Sequence, residues 1–268
     1  HFRRSATAPT AGDKAIEIQD NVNSDYAIKA WYKEADKTVY YYAETEKIFL
    51  APDSSSMFKN FTHVQDLDLA KFDTSNVVNM ASMFDGTEKV QSLNLANFDT
   101  TRVTNMRSMF SGMTELASLD LSNFNTKQVT DVANLFNNLQ AATEIKLGAD
   151  FTLENANTIA GMFANTCKVA SLDLSMLSTT NVRNFDNLFS LAGIGTTTAA
   201  CPAGDALTTI YASTNFVVDA SAQAENLFAG RTNLRGGNGS HETDPATADK
   251  TWLRLDIAGA PGYFTAKP

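Results

Sequence analysis

The sequence predicts an α/β repeat protein, a right-handed solenoid with short parallel strands on one face, short helices on the other and β-rich caps at both ends. Three observations carry this reading. A closing Met-Phe or Leu-Phe pair recurs at 57–58, 83–84, 109–110, 135–136, 162–163, 188–189 and 227–228. The steps are 26, 26, 26, 27, 26 and 39 residues, a period that marks stacked supersecondary units. Within each unit the apolar spacing switches from strand-like to helix-like. Aromatic and β-branched segments flank the repeats, as expected of caps over terminal apolar faces.

The unit "KVQSLNLANFDTTRVTNMRSMF", from Lys89, shows the two halves. Val90, Leu93, Leu95 and Phe98 follow L-x-x-L-x-L-x-x-F, a leucine-rich pattern. Alternate residues around Leu93 and Leu95 face opposite sides, so this half reads as a short strand with one buried face. Val103, Met106 and Phe110 then fall at i, i+3 and i+7 with Met109 alongside, the stripe of a short helix. Asp99, Thr100 and Thr101 precede it and are residue types that cap a helix start. Two residues past each closing Phe stands Asn60, Gly86, Gly112, Asn138, Asn165 or Gly230, which tolerate the left-handed conformation that ends many helices. Only the Leu188-Phe189 unit differs, with Leu191 there, and that unit carries the long step. One unit cannot bury its own apolar face; stacked copies can, at ~1.5–3 kcal/mol per fully buried large side chain.

These residues also carry a family resemblance. "LASLDLSNFNTKQVTDVANLF" and its siblings resemble the BspA-like surface leucine-rich repeat, also called the Mycoplasma lipoprotein-associated repeat. Five units from His63 to Phe189 reproduce it, and the tail from "NLRGGNGSHETDP" onward is similar to the segment that follows the last repeat in that family. The resemblance spans roughly residues 45–266; the sixth unit departs, with Tyr211 and Ala212 in place of Asp-Leu. It implies a bacterial surface or secreted protein that adheres to host matrix or plasma proteins, or to other bacteria.

The expected organisation is a flexible leader at 1–20, an N-terminal β-rich cap at 21–56, the repeats at 57–230 and a C-terminal cap at 231–268. Trp31, Tyr32, Tyr40, Tyr41 and Tyr42 read as cap packing rather than an aromatic binding patch. The long step holds an insertion near 190–206, expected as a surface loop, tolerated or placed beside the binding face. Cys167 and Cys201 sit in successive units; two independent thiols are the default expectation, and a pairing is left open. The chain opens "HFRRSATAPT" and is read as a fragment whose targeting segment, if any, is missing.

Composition narrows the function classes. The net charge is −9, which disfavours a broad nucleic-acid surface and charge-driven attachment to anionic lipid. No apolar run is long enough to span a bilayer. His1, His63 and His241 have no metal-ligand partner at useful spacing, and neither a nucleophile motif nor a phosphate loop occurs. No metal or cofactor is expected. Met57, Met80, Met83, Met106, Met109 and Met162 are candidate soft-metal ligands. Leu and Val replace them in other copies, so they read as core.

The outward strand positions remain as the candidate binding surface. One row runs Asp66, Ser92, Ser118, Glu144, Ser171 and Thr209; the next runs Asp68, Asn94, Asp120, Lys146, Asp173 and Tyr211. Parallel strands ~4.8 Å apart would align them as ladders. Asp66, Asp68, Asn94, Asp120, Glu144, Lys146, Asp173 and Tyr211 are the expected binding residues, for a basic protein partner or a carbohydrate. The leading expectation is a non-enzymatic, secreted or cell-surface adhesive module. Its rivals are a structural spacer or envelope component and, last, the scaffold of a glycan-active enzyme.

Overall fold

Strand pairing in the repeats runs from one copy to the next. The structure, a computed structural model, describes residues 1–19, 26–191, 201 and 204–268. Their strands are β1 (Phe2–Arg4), β2 (Ile16–Glu17), β3 (Lys29–Lys33), β4 (Thr38–Tyr42), β5 (Ile48–Phe49), β6 (Phe72–Asp73), β7 (Ser118–Leu121), β8 (Glu144–Leu147), β9 (Ser171–Asp173), β10 (Thr209–Ala212) and β11 (Phe264–Ala266). β5 pairs with β6, β7 with β8, and β10 with both β9 and β11, all in parallel. A second line of parallel bridges joins Asp53, Asn79, Asn105, Asp131, Thr158, Asn184 and Gln223, one residue per copy.

The predicted α/β leucine-rich-repeat solenoid is corrected here. No α-helix occurs among the described residues; the helical turns are 3-10 turns at Ala11–Asp13, Pro245–Thr247 and Lys250–Trp252. The segments expected to be helices are runs of turns, and the molecule consists of turns, coil and small sheets.

The physical reason is where the N–H groups go. An α-helix returns each N–H to the carbonyl four residues back. In the second unit the N–H groups of Met80, Ser82, Phe84 and Gly86 instead donate to the carbonyls of Asn105, Arg107, Met109 and Ser111 in the next copy, at 2.8–2.9 Å. The intervening N–H groups of Met83, Asp85 and Thr87 close turns on Met80, Ser82 and Phe84. Ser82 (φ 55°) and Gly86 (φ 73°) are left-handed, which two successive turns of type II sense require and a helix forbids. Copies bonded this way stand about one strand spacing apart, ~4.8 Å, whereas packed helices need ~8–10 Å.

Which side chains face inward was nevertheless legible. Val103, Met106, Met109 and Phe110 are fully buried, as are Met80, Met83 and Met162. The closing phenylalanines form a column: ring centroids are 5.6 Å apart from Phe58 to Phe84 and 5.8 Å from Phe84 to Phe110. Asp99 and Thr100 do not cap a helix. Asp99 Oδ1 accepts the N–H and hydroxyl of Thr101, while buried Thr100 exchanges hydrogen bonds with the Asn125 backbone of the next copy.

Three further expectations change. The leader is not a loose arm at its start: β1 runs parallel to β4 in a sheet of order β1-β4-β3-β2, and buried Phe2 stacks on Tyr41. Cap packing holds for Trp31 and Tyr41, but Tyr32 is 52% exposed. Cys167 and Cys201 are disulfide-bonded with Cα atoms 5.4 Å apart, not two independent thiols. Of the 190–206 insertion, residues 192–200 and 202–203 lie outside the described residues, as do 20–25 at the leader–cap boundary. At the far end β11 extends the strand row, and Tyr263 lies 4.6 Å from Phe228, covering the last closing phenylalanine.

Candidate interaction surface

In β7 the side chains of Leu119 and Leu121 are buried and those of Ser118 and Asp120 point out, so the period-two pattern sets the face. Register aligns the rows: Ser118 lies opposite Glu144, Asp120 opposite Lys146, Ser171 opposite Thr209 and Asp173 opposite Tyr211. Asp66 and Asp68 flank Leu67, which bridges Phe2 of β1. Asn94 is exposed in a copy that lacks regular strand pairing, between the Asp68 and Asp120 copies. Glu144 is exposed and Tyr211 half-buried.

Three acids of this face, Asp66, Asp120 and Asp173, have cations from the same chain. Lys146 Nζ lies 2.9 Å from Asp120 Oδ2, and Lys267 pairs with Asp173. Arg3 pairs with Asp66, and His1 Nδ1 lies 3.0 Å from it. Ser122 and Lys146, in that order, hold the Asp120 carboxyl at a pKa of about 2. Asp68 Oδ1 and Oδ2 accept the N–H groups of Ala70 and Arg4, both at 3.3 Å. Asp120 and Asp173 likewise accept the N–H two residues on, from Ser122 and Ser175. Each therefore holds its own turn as well as facing solvent.

Sequence reasoning missed Arg3 and Lys267 on this face; they come from opposite chain ends, and no local pattern announces them. It also missed the line Asp53, Asn79, Asn105, Asp131, Thr158, Asn184 and Gln223, whose signal was present from the second copy on as the residue before Met80, Met106, Val132, Ile159, Phe185 and Ala224. Asn79, Asn105 and Asp131 accept the N–H two residues on at 2.8–3.0 Å, so these side chains build turns. Among the described residues no three of His, Cys, Asp and Glu stand together as a metal ligand set, and no helix is long and apolar enough to cross a membrane.

Residues 52–170 match the model of a family described as Mycoplasma protein of unknown function, DUF285. The match begins at the first unit and ends in the strand half that follows Cys167. Comparison with curated proteins and with solved structures returned no match.

Proposed function

We propose that the chain is a non-enzymatic recognition module of a BspA-like bacterial surface or secreted protein, and that it binds a host extracellular or bacterial surface protein through the outward strand rows. The observation that carries this reading is the register of β7 with β8 and of β9 with β10, which repeats polar side chains at strand spacing on a backbone bonded from copy to copy. The DUF285 match over residues 52–170 supports the bacterial assignment. The Cys167–Cys201 disulfide suits an oxidising, extracellular setting. Carbohydrate is the second partner class. The internal pairing of Asp66, Asp120 and Asp173 favours the spacer as the rival reading, since it leaves less unmatched charge for a partner.

One experiment separates the two. The chain is screened against immobilised fibronectin, fibrinogen and a glycan array, and then compared with a variant carrying Asp68→Asn, Asp120→Asn and Asp173→Asn. Asparagine keeps the turn hydrogen bond, as Asn79 and Asn105 do, and removes the charge. Selective binding that the triple variant weakens supports recognition through this face. Binding that it leaves unchanged places recognition elsewhere, and no binding at all favours the spacer.

A further inference from the structure

The turn ladder of the repeats ends open at its first unit. At each internal junction the N–H groups of one copy point to the carbonyls of the next. The carbonyls of Asn79, Ala81, Met83 and Asp85 thus accept from Ser54, Ser56, Phe58 and Asn60 at 2.7–3.0 Å. The equivalent carbonyls one copy earlier belong to Asp53, Ser55, Met57 and Lys59, and among the described residues no donor reaches them.

The strand half of this end is covered: β1 lies beside Leu67, and the Phe2 ring packs edge-on against Phe58 at 5.2 Å. The turn half opens into a cleft of about 670 Å³ walled by Ile18, Ile28, Phe49, Leu50, Met57 and Phe72. Phe49 is 54% exposed and Ile18 48%, large apolar surfaces that no neighbouring copy covers.

We propose that this cleft takes a segment of a second polypeptide in the repeats' own turn conformation, which adds as the unit the ladder lacks. Its alternate N–H groups donate to the carbonyls of Asp53, Ser55, Met57 and Lys59, and its apolar side chains pack against Phe49 and Ile18. The ladder itself specifies the occupant. Acceptors on alternate residues call for donors on alternate residues, which a polypeptide supplies and an apolar small molecule does not. The Met and Phe side chains presented by the repeats' own turn halves match the apolar walls. None of the lining residues belongs to the outward strand rows, so this inference stands or falls separately from the function proposed above.

The probe is a synthetic peptide of residues 76–86, NVVNMASMFDG, titrated calorimetrically into the full chain. Saturable binding is expected. N-methylation at the positions of Met80, Ser82 and Phe84 removes three of the four laterally directed donors and should weaken it roughly tenfold or more. Phe49→Glu, at an exposed side chain, should weaken it similarly while the thermal transition stays in place. Absence of saturable binding overturns the proposal. Equal binding of the methylated peptide also overturns it, because the cleft then reads side chains alone. Self-association of the chain that Phe49→Glu abolishes would assign the cleft to a second copy of this protein instead.

Discussion

Arg231 offers the sharpest test of how the long insertion is anchored. It is fully buried and the largest such side chain among the described residues. Its five N–H groups meet five acceptors. They are the carbonyls of Phe189 at 2.6 Å, Thr166 at 3.0 Å and Phe163 at 3.1 Å, Thr166 Oγ1 at 2.9 Å and Asp205 Oδ1 at 2.8 Å. Arg231→Met keeps the apolar length but leaves the Phe189 and Thr166 carbonyls without this donor, together with a carboxylate whose side chain is only 3% exposed, while the Phe163 carbonyl keeps the Thr166 hydroxyl. Breaking a buried pair from one side costs about 3–5 kcal/mol, a large share of the ~5–15 kcal/mol that holds a typical protein folded. In urea, with the disulfide intact, the midpoint should fall by about 1–2.5 M at a slope of ~2–3 kcal/mol/M. Arg231→Lys should recover little, since an ammonium cannot span this fork of acceptors. Adding Asp205→Asn to Arg231→Met should cost less than the two single losses together. A loss below about 1 kcal/mol for Arg231→Met, or full stability for Arg231→Lys, would refute the claim that this network holds the last repeat.

Two further expectations follow from the same kind of reasoning. Ser75, then Lys47, hold Asp73 at a pKa of about 2, below its ordinary 3.8, so its contribution is fully present above pH 4 and is lost as pH falls through 2. At most ~2 kcal/mol is involved, and Asp73→Asn should flatten the acid limb of a stability–pH curve measured by urea unfolding. The Cys167–Cys201 bridge closes a loop of sequence separation 34. Oxidised and reduced protein should differ by a mass of two hydrogens, and reduction should lower stability by about 3–4 kcal/mol if chain entropy sets the effect.

The repeat period, the inward residues and the outward register were all legible, because period and alternation survive any backbone geometry that stacks equal units. Val90, Leu95, Met106 and Phe110 are buried whether their segment is a helix or a chain of turns. The candidate face was legible in the same way: Asp120 opposite Lys146 and Asp173 opposite Tyr211 follow from counting. Its electrostatics were not. Arg3 and Lys267 reach Asp66 and Asp173 across sequence separations of 63 and 94 residues, and nothing local to either acid encodes that. The pairing of Cys167 with Cys201 was open for the same reason, since separation in sequence says little about distance in a stack.

The helix expectation failed although its evidence was in the sequence. Each turn half carries a left-handed residue four positions before the cap position, which is Gly or Asn in every copy but the one with Leu191. These residues are Ser56, Ser82, Ser108, Asn134, Gly161, Asn187 and Asn226. A single such position at the end of a segment is compatible with a helix; one inside it is not, because the N–H after the left-handed residue closes a tight turn, as Met83 does on Met80, and the N–H after that, as of Phe84, points away from its own turn. That N–H then needs an acceptor, and the adjoining copy supplies one. An i, i+3, i+7 stripe therefore does not distinguish a helix from two linked turns of similar pitch. The recurring Ser, Asn or Gly before each closing pair does, and it selects hydrogen bonds between copies over those within one.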